Sequence, residues 1–371
     1  MKSNSIGKAF GTTLAAAALA ALTLSACGTD NNAGTGASGT ASSNAECGGK
    51  NSLTGEGSTA QQNAIAEFNK VWGQVCSGKN LSYNPTGSGA GREQFIARQV
   101  DFAGSDSALK DDQVAQGAAR CGGNPAWNLP LVFGPVAMAY NLDGVDKLVV
   151  NGDVLAKIFT GQVKKWNDPA IAALNSGATL PDIDIKPVYR SDSSGTTDNF
   201  QKYLKAAAPQ AWTKETGSEF QGGAGEGAQK SAGVVQAVQA TPGAIGYVEK
   251  GFAEQAGLPF AQIDNGAGAV ELTEDTSKRA IDSAKFAGEG NDLALDLNSI
   301  YGTKAADAYP LVLATYEIVC SKGYDADTTA ALKSFLTVAA NEGQTGLSAA
   351  GYVPLPDAFK ERLEKSIDAI A

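Results

Sequence analysis

Three times in this chain, a short run with strand character ends in a turn of glycine and hydroxyl residues that opens a helix. The fullest example spans residues 190–197, with the sequence Arg-Ser-Asp-Ser-Ser-Gly-Thr-Thr. It lies between a strand-like run at 183–189 and a helix-like run at 199–208. The first backbone N–H groups of a helix have no partner within the helix, so such a turn directs several donors towards one point. The alternation of strands and helices predicts an α/β fold with an anion-binding site at these turns.

The side chains of this turn favour an oxyanion as the ligand. Arg190 supplies a positive fork that suits a tetrahedral oxyanion. Ser194 and Thr196 add hydroxyl groups, and Gly195 lets an anion approach the backbone closely. Asp192 is interpreted as the residue that holds Arg190 in place, because a second anion inside the site would repel the ligand. The alternative is a capped helix with a surface ion pair.

The other two turns lie earlier in the chain. Residues 53–59, Leu-Thr-Gly-Glu-Gly-Ser-Thr, end a strand and lead into an amphipathic helix, with Ser58 or Thr59 expected at its N-cap. Residues 86–91, Thr-Gly-Ser-Gly-Ala-Gly, follow the next strand and place Ser88 at a second helix start. Ordinary helix capping is the alternative explanation for each turn.

Asp106 ends the short strand at 100–106, Val-Asp-Phe-Ala-Gly-Ser-Asp. It either caps the helix expected at 111–119 or faces the same site as the three turns. A carboxylate in an anion site makes sense only if the ligand carries a proton that it can donate to that carboxylate.

The N-terminus has the pattern of an exported protein. Residues 1–26 carry two lysines and then an apolar run at 14–24, which is too short to span a bilayer and is typical of a signal peptide. The ending Leu-Ser-Ala-Cys resembles a bacterial lipoprotein signal, in which Cys27 becomes the first mature residue and carries the lipid. A signal peptide without lipidation is the alternative. Residues 27–47 are rich in Gly, Ser, Thr, Ala and Asn and predict a flexible tether.

The composition excludes several classes of function. The net charge of −10 becomes −12 once the two leader lysines are removed, which argues against a nucleic acid as partner. The chain contains no histidine, so histidine-dependent triads and histidine metal sites are excluded, and we expect no metal and no cofactor. No later apolar run approaches the roughly 18 residues that a membrane-spanning helix needs.

Two long apolar strands indicate two domains. One is expected at 129–140, broken by Gly134 and Pro135 as a hinge, and the other at 310–320. They bracket a middle block, so the chain is expected to leave one domain, build a second and return. The expected segments are domain I at 48–134, domain II at 135–309 and the remainder of domain I at 310–371.

Four cysteines remain after Cys27, and in an exported protein they predict two disulfides with three pairings open. Our hypothesis pairs Cys47 with Cys76, which flank the first strand and helix. It pairs Cys121 with Cys320, which lie near the two hinge strands.

Several spaced motifs together give a family resemblance from about residue 53 to the C-terminus. They are Leu-Thr-Gly-x-Gly-x-Thr at 53–59, Gly-Ser-x-x-Gly at 87–91, Asp-Phe-x-x-Ser-Asp at 101–106, Lys-Lys-Trp-Asn-Asp at 164–168, Arg-x-Asp-x-Ser-Gly-Thr at 190–196 and Pro-Gly-Ala-Ile-Gly-Tyr-Val-Glu at 242–249. In these motifs the chain resembles the phosphate-binding lipoproteins of bacterial phosphate ABC transporters, the PstS family.

The resemblance implies a type II periplasmic-binding-protein fold, with two domains joined by hinge strands and the ligand in the cleft between them. It implies a protein that is not an enzyme, binds inorganic phosphate as a monomer, is lipid-anchored on the outer face of the cell membrane and delivers phosphate to the permease subunits. Asp192 matches the partner of the arginine, and Ala60 departs from the bulky aromatic residue of better-known members. The implied phosphate ligands are Thr59, the backbone at Ala60, Ser88, Asp106, Arg190, Ser194, Gly195 and Thr196.

Three other functions stay open at this point. A binding protein for sulfate or molybdate would use the same architecture. A serine-dependent phosphatase or esterase would use Ser88 or Ser194 with a lysine or carboxylate base, although no Ser-x-x-Lys motif lies on the glycine turns. A surface receptor or adhesin would carry no stoichiometric small-ion ligand.

Overall fold

The structure, a computed structural model, describes residues 45–371. The predicted signal peptide, Cys27 and most of the predicted tether lie outside the described residues. The strands of the described part are β1 (Ser52–Gly57), β2 (Asn80–Pro85), β3 (Phe102–Ser105), β4 (Ala126–Tyr140), β5 (Val149–Asn151), β6 (Lys186–Arg190), β7 (Glu226–Ala228), β8 (Ala244–Glu249), β9 (Gln262–Asp264), β10 (Ala269–Val270), β11 (Lys285–Phe286), β12 (Leu295–Asp296) and β13 (Val312–Cys320).

The α-helices alternate with these strands over most of the chain. They are α1 (Gln62–Val75), α2 (Ser88–Ile96), α3 (Asp111–Arg120), α4 (Gly152–Phe159), α5 (Pro169–Ala172), α6 (Gly195–Ala207), α7 (Lys230–Ala240), α8 (Lys250–Gln255), α9 (Glu274–Ile281), α10 (Asn298–Tyr301), α11 (Ala326–Ala340) and α12 (Asp357–Asp368). Two short 3₁₀ helices follow α11, at Glu342–Gly346 and Ser348–Ala350.

The main sheet has eight strands in the order β2-β1-β3-β13-β4-β8-β6-β7. On one side of it β1 runs parallel to β2 and β3, and on the other β6 runs parallel to β7 and β8. The ends of parallel strands and the helix starts that follow them meet at one edge of a sheet, which is where α/β proteins bind ligands. The turns singled out in the sequence follow β1, β2 and β6, and they lie at such edges.

The strand β4 is continuous and belongs to both halves of the sheet. Its first half pairs antiparallel with β13, up to Pro135 opposite Val312, and its second half pairs with β8 from Val136 opposite Glu249. The prediction that Gly134 and Pro135 interrupt this strand is therefore wrong. Proline lacks an N–H donor, and this position is where β4 exchanges one partner for another, so the missing donor is tolerated.

Aromatic side chains form a separate cluster in each half of the sheet. On the β1 side, Trp72 packs edge-on against Phe335 with ring centroids 5.4 Å apart, and Phe335 stacks on Phe102 at 5.7 Å. On the β6 side, Phe200 stacks on Tyr247 at 4.4 Å. Two aromatic centres fit a two-domain organisation, whereas the boundaries at 134/135 and 309/310 stay a prediction.

Two disulfides join Cys47 to Cys76 and Cys121 to Cys320, the same pairs as in the sequence hypothesis. The first ties the beginning of the described chain to the residue after α1. The second ties the residue after α3 to the last residue of β13, across 199 positions. Loop closure of this kind stabilises a folded chain by roughly 3–5 kcal/mol per bridge.

Two helix starts differ from the sequence expectation. The helix α1 begins at Gln62 with Gln61 as its N-cap, so the predicted capping by Ser58 or Thr59 is wrong. The helix α6 begins at Gly195, four residues before the expected 199, because Ser194 already caps it there. The hydroxyl groups of Ser58 and Thr59 have other partners, which belong to the site described next.

Candidate functional site

The segment after β3 meets the beginnings of α2 and α6. The Asp106 N–H donates to Ser88 Oγ over 3.1 Å, and Asn199 Nδ2 donates to the Asp106 carbonyl oxygen over 2.7 Å. The Gly89 N–H, in the first turn of α2, donates over 3.0 Å to the Ser193 carbonyl oxygen, just before α6. The fold therefore brings the turns after β2, β3 and β6 together at one point.

The Asp106 carboxylate lies at the centre of this point and is 3% exposed. Its Oδ1 accepts hydrogen bonds from Ser58 Oγ at 2.5 Å and Thr315 Oγ1 at 2.9 Å. Its Oδ2 accepts from Thr196 Oγ1 at 3.2 Å and Ser88 Oγ at 3.3 Å. Each carboxylate oxygen is thus held by two hydroxyl groups, and the alternative that Asp106 caps the following helix is wrong, since α3 begins only at Asp111.

The protonation of Asp106 is set by opposing effects. Burial raises the pKa of its carboxyl above the ordinary value, because the charged form loses its hydration. Hydrogen bonds from Ser58 and Thr315, followed by the positive charge of Arg190, oppose that rise. The charge on Asp106 therefore depends on the hydroxyl groups around it as well as on the arginine.

Arg190 ends β6 and is buried, with a side chain only 2% exposed. Its Nε donates to Asp192 Oδ1 over 2.7 Å, and its terminal Nη2 donates to Oδ2, so the carboxylate holds the guanidinium by both oxygens. Burial would raise the pKa of Asp192, but the hydrogen bonds and charge of Arg190 and the Lys230 N–H hold it below the ordinary value. The alternative of a surface ion pair is wrong, because this pair lies inside the protein.

Two glycines allow the close approach of these elements. A Cβ at Gly195 would lie 2.6 Å from the Cβ of Asp106 and 2.6 Å from Ser88 Oγ, which is closer than real side chains come. Gly87 has a φ of +109°, and a Cβ there would lie 2.7 Å from Asp192 Oδ2. The starts of α2 and α6 reach the two aspartates because glycine occupies these positions.

A fourth helix start, that of α7, also lies at the site. Thr59 Oγ1 is 2.8 Å from Ser231 Oγ and accepts the Ser231 N–H over 3.2 Å. Lys230, the first residue of α7, has a φ of +63° and donates its N–H to Asp192 over 2.9 Å. This contribution was not predicted from the sequence, although the glycine-rich stretch at 222–227 before the helix offered a signal.

The residues predicted as ligands surround the Asp106 carboxylate or lie at the helix starts next to it. Ser194 accepts the Thr197 N–H over 3.2 Å and so caps α6. The Ala60 N–H donates to Ser58 Oγ over 3.1 Å. Sequence reasoning also missed Ser58 and Thr315 as partners of Asp106. For Thr315 the sequence offered a lone threonine in a mostly apolar strand, which does not identify its partner.

Comparisons with known sequences agree over nearly the whole chain. A family model described as a PBP superfamily domain matches residues 31–342. The phosphate-binding protein PstS 3 of Mycobacterium tuberculosis (strain ATCC 25618 / H37Rv) is 49% identical over 366 residues, which cover 98% of this chain and 99% of that protein. The phosphate-binding protein PstS 3 of Mycobacterium leprae is 47% identical over 375 residues, covering 100% of both.

Solved structures share the fold. A high-affinity periplasmic phosphate-binding protein, PfluDING, bound with phosphate, matches with a TM-score of 0.69 and 23% identity, covering 85% of this chain and 93% of that one. A DING protein matches with a TM-score of 0.68 and 22% identity, covering 84% and 93%. The predicted fold class, a two-domain α/β binding-protein fold, is confirmed.

Proposed function

Because the chain belongs to the family of PstS phosphate-binding proteins, we propose that it captures inorganic phosphate outside the cell and delivers it to an ABC-type phosphate importer. The observation that carries this function is the buried Asp106 carboxylate, placed among helix starts and close to a buried arginine. The helix starts and Arg190 attract an anion, whereas Asp106 accepts a hydrogen bond from it.

The ligand set follows from the residues that meet at this point. The starts of α1, α2 and α6 offer N–H groups and hydroxyls, and Arg190 offers the formal positive charge. Asp192 keeps the guanidinium in place without facing the ligand as a free anion. We propose as phosphate ligands Thr59, the N–H of Ala60, Ser88, Asp106, Arg190, Ser194, Gly195 and Thr196.

Asp106 makes the site selective for an oxyanion that carries a proton. Phosphate near neutral pH keeps at least one P–OH group, which donates to the ionised carboxylate. Sulfate has the same shape but no proton, so it would meet Asp106 as an unpaired negative charge in a buried site. Sites built for a substrate hydroxyl reject an analogue without it by roughly 10⁴–10⁵-fold.

Export and anchoring belong to the part of the chain outside the described residues. We propose that residues 1–26 are removed, that Cys27 carries the lipid and that the protein works as a monomer with membrane permease subunits. Within residues 45–371, no helix has the length and apolar character to cross a membrane. The Cys47–Cys76 disulfide places the end of the tether beside α1.

We further propose that phosphate is bound and released without chemistry. Among the described residues, the hydrogen bond of Ser194 Oγ is with the Thr197 N–H, not with a lysine or a carboxylate. Within residues 45–371, the carboxylate that Ser88 contacts is Asp106, which already accepts three other hydroxyl hydrogen bonds. A serine nucleophile needs a base that is free to take its proton. A chromogenic phosphate ester should give neither a burst nor turnover, and steady turnover would support the phosphatase alternative.

Calorimetric titration tests the function directly. The protein is first freed of bound phosphate by unfolding, dialysis and refolding, and is then titrated with phosphate, sulfate and molybdate. We expect one tightly bound phosphate per chain and no comparable binding of the other two anions. Tighter binding of sulfate or molybdate would instead assign the site to that oxyanion, and the absence of any anion binding would remove the proposal.

The variant Asp106→Asn tests the selectivity. The amide oxygen can still accept the P–OH hydrogen bond, whereas the repulsion of sulfate is lost, so phosphate binding should persist and sulfate should begin to compete. Asp325→Asn is the matched control, because Asp325 caps α11 away from the site and asparagine caps equally well. Equally strong exclusion of sulfate by Asp106→Asn and by the wild type would show that Asp106 is not the filter.

A further inference from the structure

The two oxygens of the Asp106 carboxylate are held unequally. The hydroxyls of Ser58 and Thr315 approach Oδ1 to 2.5 and 2.9 Å, whereas those of Ser88 and Thr196 approach Oδ2 only to 3.3 and 3.2 Å. Ser88 and Thr196 are proposed phosphate ligands and are able to turn to the anion. Ser58 and Thr315 are not among the proposed phosphate ligands, and their hydroxyls hold the other carboxylate oxygen, Oδ1.

The direction of the Ser58 hydroxyl hydrogen bond follows from the chemistry of an ionised carboxylate. The Ala60 N–H donates to Ser58 Oγ over 3.1 Å, so this oxygen already accepts one hydrogen bond. A hydroxyl has a single proton to donate, and an ionised carboxylate can only accept. Against an ionised Asp106 the Ser58 proton therefore points to Oδ1, and this donation favours the deprotonated carboxylate. The Ala60 N–H is itself a proposed phosphate ligand, and its transfer to the anion would leave this donation unchanged.

Thr315 lies next to an irregularity in the sheet. Thr315 lies opposite Val132, but the next residue, Tyr316, lies opposite Pro130, so Leu131 has no partner on β13. Such bulges bend a strand and redirect its side chains. Here the bulge lies in the middle of the sheet, next to the fully buried Thr315 whose hydroxyl reaches Asp106.

We propose that Ser58 and Thr315 are specificity-determining positioning residues that keep Asp106 a pure hydrogen-bond acceptor and turn its Oδ2 towards the proton of the bound oxyanion. The proposal rests on the phosphate-binding function above and extends it. The filter then consists of three side chains, one directly after β3, one on β13 and one in the turn after β1, and not of one aspartate. Ser58 and Thr315 act through Asp106 and do not touch the ligand.

The charges around Asp106 make these donors necessary. Burial drives the Asp106 pKa upward, and hydrogen bonds from Ser58 and Thr315 are the strongest opposing effects, ahead of the charge of Arg190. Loss of the two hydroxyls would therefore let Asp106 take up a proton at higher pH. The titratable and charged groups that face it are Arg190 from β6, Arg92 from α2, Glu249 from β8, Glu317 from β13, Tyr83 from β2, Tyr301 from α10 and Tyr352 after the 3₁₀ helices.

A protonated Asp106 would relax the selectivity against sulfate. Its O–H would donate a hydrogen bond, and an oxyanion without a proton, such as sulfate, could accept it. Sulfate should therefore compete with phosphate increasingly as the pH falls through the Asp106 pKa. Variants that raise this pKa should shift the onset of sulfate competition to higher pH.

The experiment measures competition by sulfate against labelled phosphate from pH 5 to 8. The variants are Ser58→Ala, Thr315→Val and the double variant. The midpoint is the pH at which sulfate competition reaches half of its low-pH level, and we expect it to rise by about one pH unit in the double variant. At a fixed pH above the midpoint, sulfate should then compete about tenfold more strongly than in the wild type. Thr315→Ser keeps the hydroxyl and should restore the wild-type midpoint. Ser334→Ala is the matched control, because this buried hydroxyl pairs with Trp72 away from the site.

The outcomes separate this inference from the function on which it rests. A wild type that binds no phosphate would overturn both. If the wild type binds phosphate and excludes sulfate near neutral pH, a double variant with the same midpoint of sulfate competition as the wild type would overturn the inference alone. So would equal losses of phosphate and sulfate binding at every pH, because they would show a merely structural role for the two hydroxyls.

Discussion

Replacement of Arg190 gives the sharpest test of the attractive part of the site. In Arg190→Ala the bound anion loses its formal positive partner, and Asp192 remains as an unpaired carboxylate at the same place. In the wild-type protein Asp192 is mostly buried, with a side chain 15% exposed, and it accepts two hydrogen bonds from the Arg190 guanidinium. The substitution therefore removes an attraction and creates a repulsion at once.

The magnitude follows from the burial of the pair. Truncating one partner of a buried, hydrogen-bonded charge pair costs about 2–5 kcal/mol. At about 1.4 kcal/mol for each factor of ten, phosphate should bind roughly 30-fold to several thousand-fold more weakly to Arg190→Ala. Arg190→Lys keeps the charge but not the two-pronged contact with Asp192, so its loss should be smaller.

The assay is calorimetric titration of phosphate into both variants and into Arg279→Ala. Arg279 also pairs with an aspartate, Asp307 at 3.4 Å, but both side chains are more than half exposed, and such pairs contribute little. Arg279→Ala should bind phosphate like the wild type. If Arg190→Ala binds within a few-fold of the wild type, the turn after β6 is not the anion site.

Three further predictions concern the closure and the acidity of the site. Gly195→Ala should weaken phosphate binding roughly 5- to 150-fold, because overpacking typically costs about 1–3 kcal/mol. Gly233→Ala in α7, where a Cβ has ordinary contacts, should bind phosphate like the wild type, and equal titrations of the two variants would refute the close-approach argument. Ser231→Ala and Thr59→Val should be non-additive by about 0.5–1.5 kcal/mol in a double-mutant cycle of phosphate affinity, and additivity would show that their contact is not coupled to binding. The pKa of Glu317 is raised from 4.5 to about 8, so between these values the folded state holds a proton that the unfolded chain releases. The contribution of Glu317 to the free energy of unfolding should be full below pH 4.5 and fall by about 1.4 kcal/mol per pH unit towards pH 8. Denaturant unfolding of Glu317→Gln should lack this slope.

Local patterns predicted the turns of the site well. A strand that ends in Gly, Ser and Thr before a helix has few alternatives, so the places of Ser88, Ser194, Gly195 and Thr196 followed from short stretches of sequence. Helix starts were less certain, because α6 begins at Gly195 when Ser194 caps it, and a capping hydroxyl a few residues away would have looked the same.

Contacts between distant segments could not be predicted in the same way. Thr315 reaches Asp106 from 209 positions away, and Ser231 reaches Thr59 from 172 positions away. The first joins β13 to the segment after β3, and the second joins the turn after β1 to the start of α7. Neither leaves a local pattern, so an isolated threonine in an apolar strand carries no sign of its partner.

Two further buried carboxyls explain how an acidic protein can hold an anion next to an aspartate. Glu249 and Glu317 lie close enough to Asp106 to influence its charge, and burial raises the pKa of each, that of Glu317 to about 8. With a pKa of about 8, Glu317 is mostly neutral near pH 7, and burial favours the neutral form of Glu249 in the same direction. Asp192 is held in its charged form by its pairing with Arg190. Among these acidic groups of the described chain, Asp106 is then the one that offers an acceptor to the ligand, and a protonated oxyanion can use it. A chain with a net charge of −10 can bind phosphate because burial favours the neutral form of Glu249 and Glu317, Asp192 is paired, and Asp106 is part of the filter.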